Sequence, residues 1–307
     1  MRQKVSVIGA GNVGATLTQR LAELDIFDLA LVDVVEGLAE GKALDLAEAG
    51  PVAGYDTEVV GGTDYAITAD SQLVVITSGL ARKPGMSRDD LVEANAKIVG
   101  QVTEEVVSRS PEAVLIVVTN PLDAMTELAL RVSRLPRFRV LGMAGILDTA
   151  RFRSFLAAEL GVSVRSVEAY VLGGHGDSMV PLRGVTSMAG VPVGRLIPAD
   201  RLEEIVRRTR DGGAEIVRHL KTGSAFYAPS AAAAQMVEAI ARDRRQVLPC
   251  AVRLQGEYGL SGVVMGVPVK LGRGGVTEVV EVELTSEERE ELERSAQAVR
   301  EVSAVLG

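Results

Sequence analysis

The chain has 307 residues, 47% of them hydrophobic and none tryptophan, enough for two globular units or one α/β unit with a large extension. Its 33 basic and 41 acidic residues leave a net charge of -8, which argues against nucleic acid or an anionic membrane as a partner and makes any anion site a local one. Cys250 is alone, with neither a disulfide partner nor a metal-ligand set beside it, so a space-filling role in a reducing compartment is expected and no metal.

No apolar run reaches the ~20 residues that span a bilayer, and the one in MRQKVSVIGAG is too short for a signal peptide. A cytoplasmic protein without membrane contact is expected. In chain order, KVSVIG, LALVDV, TEVVGG, QLVVITSG, AVLIVVTN and RVLGMAG are β-branched runs separated by amphipathic helical stretches. Six such units predict a parallel sheet wound on both faces, over residues 1–145. From residue 146 the pattern changes. ILDTARFRSFLAAELG reads as a helix stopped by Gly161, EAYVLGGHG and SMVPLRGV as strands around a glycine-rich turn, and ADRLEEIVRRTRDGGAEIVRHLKTG as one or two helices. Another helix follows in AAAAQMVEAIARD, then the strand-like runs VLPCAVRLQG, VVMGVPVKLG and VTEVVEVEL, and a charged closing helix capped by Thr285 and Glu288. The fold class expected is therefore α/β: a Rossmann-type doubly wound sheet, then an α+β substrate and catalytic domain over 146–307, with the site between them.

Gly9-Ala10-Gly11-Asn12-Val13-Gly14 is a G-x-G-x-x-G directly after a strand and directly before a helix, the context that makes this motif informative. Gly9 permits the turn, Gly11 lets the backbone approach a pyrophosphate, and Gly14 lets the helix pack on the sheet. Asp33 ends the next strand, where a carboxylate accepts hydrogen bonds from the ribose diol of NAD and repels the extra phosphate of NADP. Val34 and Val35 follow, with no arginine to favour NADP.

Two histidines exist. His219, in EIVRHLK, reads as a solvated helix residue. His175 lies in Gly173-Gly174-His175-Gly176-Asp177, where glycines let a ligand approach an imidazole whose ordinary pKa suits proton exchange; a turn histidine is the bland alternative. Asp148 is the candidate carboxylate to orient it. Arg151, three residues on, shares its helix face and suits a bidentate grip on a substrate carboxylate, unless the two form an ordinary helical ion pair. Asn120 closes the fifth strand, on the ligand-binding edge of such a sheet, and is a candidate donor to a substrate oxygen.

GAGNVG with Asp33, PGMSR, TNPLDAM, LDTARFR and GGHGD, in this order, resemble the lactate and malate dehydrogenase family over essentially the whole chain, and within it the lactate-dehydrogenase-like malate dehydrogenases. The resemblance implies reversible hydride transfer between (S)-malate and NAD, in the tricarboxylic acid cycle, by a dimer or tetramer. It implies His175 and Asp148 as the proton-transfer pair, Arg151 on the carboxylate next to the reacting carbon, Arg88 polarising the carbonyl and Asn120 on the reacting oxygen. Asn95 and the backbone near Val118 are implied to contact NAD. Leu80-Ala81 departs from the Ala-Pro common in close relatives, which bears on loop stiffness. In the loop TSGLARKPGMSRDDL, the Arg82 position carries glutamine in lactate dehydrogenases and arginine in malate dehydrogenases. A buried, unpaired arginine costs roughly 3–5 kcal/mol, so Arg82 calls for a second carboxylate, which oxaloacetate has and pyruvate lacks. Lys83 reads as a solvated charge. Lactate dehydrogenase activity and a non-catalytic NAD-responsive protein on the same fold remain the rivals.

Overall fold

KVSVIG forms β1 (Gln3–Ile8), buried on both faces from Val5 onward because helices cover both sides of the sheet around it. The chain continues through α1 (Asn12–Ala22), β2 (Phe27–Val32), α2 (Leu38–Ala53), β3 (Val59–Gly62), β4 (Leu73–Ile76), α3 (Arg88–Arg109), β5 (Val114–Val117), α4 (Leu122–Ser133) and β6 (Val140–Gly142). This is a computed structural model; it describes residues 2–81 and 88–307, the side chain of Arg88 excepted. The six strands are parallel in the order β3-β2-β1-β4-β5-β6, the doubly wound sheet expected. Alternation divides each strand between two cores. Leu73 and Val75 of β4 join the core holding Leu17 of α1, whereas Val74 and Ile76 join the one holding Val99 of α3 and Met125 of α4. Strand order reverses between β1 and β4, so a crevice opens at their carboxyl ends.

Next comes α5 (Gly145–Leu160), stopped by Gly161 at φ 64° as its position in the sequence predicts. β7 (Val167–Glu168), β8 (Val171–Leu172), β9 (Val180–Pro181), β10 (Ser187–Met188) and β11 (Val191–Pro192) are each only two residues long. The longer strands expected around the glycine-rich turn shrink to β8 and β9, because the next residue, Gly173, bridges to Gly266 instead. α6 (Ala199–Leu220) is one continuous helix: its buried stripe of Leu202, Ile205, Val206 and Thr209 outweighs the roughly 1 kcal/mol that each of Gly212 and Gly213 costs. Phe152 of α5, fully buried with Leu156, Val171 and Ile205, fixes the helix that carries Asp148 and Arg151; its truncation to alanine costs about 3–5 kcal/mol.

α7 (Tyr227–Ala241) is followed by β12 (Gln246–Gln255), β13 (Ser261–Gly272), β14 (Gly275–Val279) and α8 (Ser286–Ala304). These strands extend the first sheet rather than building another. β12 lies antiparallel beside β6, covering what would be an exposed edge, and the nine strands run without interruption. Two small residues make the junction, Gly142 opposite Ala251. The third strand is shorter than VTEVVEVEL suggested. Val279 is the last paired residue, and its neighbour Val280 donates to Pro268, which has no N–H to return. The Tyr258 hydroxyl takes over beyond, donating to the Val280 carbonyl and accepting from Val282 N–H. Thr285 and Glu288 form the expected reciprocal cap of α8. Cys250 is buried in the core, and burial pushes its thiol up. His219 is exposed on α6. Among the described residues no helix is long and apolar enough to cross a membrane.

Candidate active site

The turn after β1 and the end of β4 meet in the crevice. A side chain at Gly9 would touch the Ser78 backbone, and one at Gly14 would run into the Gly9 carbonyl, so both glycines are required by close packing. Gly11 faces open space at the N-terminus of α1, where no side chain caps the helix and no acidic residue occupies the first turn. Its N–H groups, with those of Asn12 and Val13, are left for an anion. Asp33 is held by two backbone donors: Ala10 N–H to Oδ2 at 2.6 Å and Val35 N–H to Oδ1 at 3.0 Å. Each carboxylate oxygen keeps a further lone pair for a diol. Lys42 Nζ donates to the Ala10 carbonyl, so both polar atoms of that residue are clamped. These groups fit a dinucleotide.

Asn95, expected to contact NAD, is fully buried in the ligand-free chain and bonded to the main chain. Its Oδ1 accepts from Leu80 N–H at 2.7 Å, and its Nδ2 donates to the carbonyls of Leu80 and Asn120 at 3.1 and 2.6 Å. Its side-chain capacity for donation is thus taken up in tying the end of the β4 segment to the Asn120 turn. Gly79 is packed against Thr119 and Asn95 rather than free to hinge. Val118 N–H donates to Ile76, and the Asn120–Pro121 peptide is cis.

Asn120 and His175 line one cavity of about 630 Å³, together with Leu91, Asp123, Ser178 and Val299. His175 Nδ1 lies 2.8 Å from Asp148 Oδ2, and Arg151 Nη1 lies 3.3 Å from Asp148 Oδ1. Helix spacing in α5 places Asp148 and Arg151 together, and the β8–β9 turn delivers His175 from outside. With the proton on Nδ1 given to Asp148, Nε2 is the ring atom left for chemistry. Burial draws the imidazole toward neutrality, but the Asp148 carboxylate, with Asp123 behind it, outweighs this and raises the histidine above its ordinary value. Asp148 is 1% exposed. Arg82 and Lys83 lie outside the described residues, as does the side chain of Arg88; Arg88 itself begins α3.

The description "lactate/malate dehydrogenase, NAD binding domain" matches residues 3–142, and "lactate/malate dehydrogenase, alpha/beta C-terminal domain" matches residues 146–304. The chain belongs to the lactate/malate dehydrogenase family. It is 61% identical to the malate dehydrogenase of Thermomicrobium roseum over 302 residues, 98% of this chain and 97% of that one. Among solved structures it is similar to the malate dehydrogenase of Salinibacter ruber, with a TM-score of 0.95 and 52% identity over 99% of this chain and 97% of that one. A lactate dehydrogenase of Cryptosporidium parvum, complexed with lactic acid and nicotinamide adenine dinucleotide, gives a TM-score of 0.97 at 40% identity, covering 100% and 98% of the two chains. Proteins of this family with either name thus share the fold of this chain.

Three groups of this family member's site escaped the sequence reading. Asp123 puts Oδ2 on the His175 backbone N–H at 2.8 Å; the signal was an acid among apolar residues in the first turn of α4, in TNPLDAM. Gly212 leaves the space through which the Arg151 side chain passes, and the Thr209 carbonyl accepts from Arg151 at 3.4 Å; the signal was the glycine pair inside an amphipathic helix. Ser295 of α8 accepts from Gly174 N–H at 2.9 Å, a contact nothing local announces.

Proposed function

We propose that the chain is an NAD-dependent malate dehydrogenase, interconverting (S)-malate and oxaloacetate. The observation that carries this is the 2.8 Å pairing of His175 with buried Asp148 at a cavity shared with Asn120, in a chain whose relatives are named malate dehydrogenase. NAD, when bound, supplies the hydride acceptor. Neutral His175 takes the malate hydroxyl proton at Nε2 while Asp148 stabilises the imidazolium; in reduction the imidazolium returns it to the alkoxide oxygen. Asn120 donates to that oxygen, and Arg151, steadied by Asp148 and the Thr209 carbonyl, grips the adjacent carboxylate. Gly9 to Gly14 and Asp33 hold the dinucleotide, with Val118 near its nicotinamide end; Asn95 acts through Leu80 and Asn120. Residues 1–145 form the dinucleotide-binding domain, which also brings Asn120, Arg82 and Arg88 to the substrate, and residues 146–307 form the catalytic and substrate domain. Arg88 polarises the carbonyl and Arg82 pairs with the distal carboxylate, both on the strength of the loop sequence.

The deciding test compares kcat/KM for oxaloacetate and pyruvate. Oxaloacetate should win by roughly several orders of magnitude, because a site built to pair a polar group penalises the analogue lacking it. Arg82→Gln should bring the two together, mainly by a fall for oxaloacetate, and Arg88→Gln should depress both. An unchanged ratio in Arg82→Gln ends the malate assignment of that residue. A cytoplasmic homodimer or homotetramer serving the tricarboxylic acid cycle completes the proposal. Exposed Leu44 and Val52 on α2 support self-association, which sedimentation measures.

A further inference from the structure

Asp123 lies in the first turn of α4, three residues after Asn120, and only 8% of it is exposed. One oxygen, Oδ2, accepts the backbone N–H of His175 at 2.8 Å. The other, Oδ1, is buried and has no hydrogen-bond partner among the described residues, although the residue lines the same cavity as His175 and Asn120. A buried carboxylate oxygen without a partner is costly and calls for an explanation. The surroundings keep the carboxyl close: a side chain at Gly174 would come within 3.4 Å of Oδ2 and 2.6 Å of Val299.

We propose that Asp123 is a positioning residue for the reaction, one that anchors the His175 main chain and whose charge sets how firmly His175 keeps its proton. This rests on the reading of His175 as the proton-transfer group. Asp148 holds the ring through Nδ1 and Asp123 holds the backbone, so one histidine is fixed by two carboxylates on different elements. Facing Asp123, the β8–β9 turn contributes His175 and, at the cavity rim, Asp177. α5 contributes Asp148 with Arg151 behind it. α8 presents Ala298, Val299 and Val302, and α3 presents Leu91 among its described side chains, none of them charged. Burial is the largest influence on Asp123 and raises its carboxyl to about 6, with Asp148 adding to the rise and His175 opposing it. Asp123 and His175 therefore titrate as a coupled pair across neutrality. Above about 6 the Asp123 carboxyl is charged and favours imidazolium, the form needed to reduce oxaloacetate; as pH falls through about 6 that support is withdrawn.

The experiment uses the whole enzyme. Only two histidines exist, so His175 can be followed by NMR with His219 as an exposed reference. Asp123→Asn keeps an acceptor for the His175 N–H but removes the charge. It should move the His175 titration and the pH profiles of both reaction directions to lower pH together. Oxaloacetate reduction at pH 8 should fall by roughly three- to tenfold, the loss of imidazolium expected on removing a nearby opposite charge. NADH affinity should stay the same. If neither titration nor profile moves, Asp123 is a structural residue and the proposal fails while the role of His175 stands. If the titration moves without the profile, the proton-transfer role of His175 fails and takes this proposal with it. Should Asp123→Asn not fold, the unmodified enzyme still decides: the His175 resonance should show a second inflection near the Asp123 value of about 6, and a single inflection overturns the proposal.

Discussion

Two glycine-rich turns build this site, and they are held in different ways. In Gly9–Gly14 the crowded positions press on backbone, Gly9 on Ser78 and Gly14 on the Gly9 carbonyl, while Gly11 faces open space. In Gly173–Gly176 the crowded positions press most closely on side chains of α8, Gly173 on Ser295 and Gly174 on Val299, and Gly176 faces open space. Each turn therefore has packed glycines and one open glycine. The first turn is set by backbone, its own and that which follows the neighbouring strand β4, and so reads as a motif. The second is set by α4, α5 and α8, so its sequence announces a histidine without saying what holds it.

Substitutions that separate packed from open glycines test this contrast. Gly14→Ala should be the most damaging, because backbone cannot step aside: about 3–5 kcal/mol lost in urea unfolding, with NADH binding abolished. A stable Gly14→Ala protein with ordinary NADH affinity would remove the basis of the comparison. Gly174→Ala meets side chains that have some room to yield, so about 1–3 kcal/mol is expected, with turnover falling as His175 shifts. Val299→Ala in the same chain should recover part of that stability; no recovery would mean that the clash lies elsewhere. Gly11→Ala, at φ -66° and with no neighbour, should leave stability within about 0.5 kcal/mol while weakening NADH by roughly tenfold, as measured by fluorescence titration. The smallest effect is in pH dependence. His175 has a raised value in the folded chain, so its contribution to stability is complete below the ordinary histidine value near 6.5 and is lost as pH rises through the folded one. Asp123, raised to about 6, acts with the same sign. Melting temperature of the ligand-free enzyme should decline modestly from pH 6 to 8, less steeply in His175→Gln.

What the sequence made legible follows the same division. The six parallel strands were readable because strands buried on both faces are continuous apolar runs, and Asp148 and Arg151 because helix geometry fixes their neighbourhood. Asp123 was not, since its partner His175 is distant in sequence and reaches it only through the β8–β9 turn. The bonds of Asn95 were not legible for a related reason: its partners are main-chain atoms of Leu80 and Asn120, which carry no side-chain signature. The path of Arg151 past Gly212 depended on where α6 lies over α5, a packing matter. Arg82 and Arg88 were readable as charges in the stretch after β4.

The uninterrupted nine-stranded sheet has a thermodynamic consequence. β12 shares its ladder with β6, Ser230 of α7 donates to the Val13 carbonyl at the start of α1, and Asp123 holds the His175 backbone, so the half that holds the dinucleotide and the half that holds His175 are fastened along their whole junction. Melting either half strands the edge of β6 or β12 in water and uncovers the core that α1 shares with α7. Calorimetry should accordingly record one endotherm rather than two, and dinucleotide added to one half should raise the temperature at which the other comes apart.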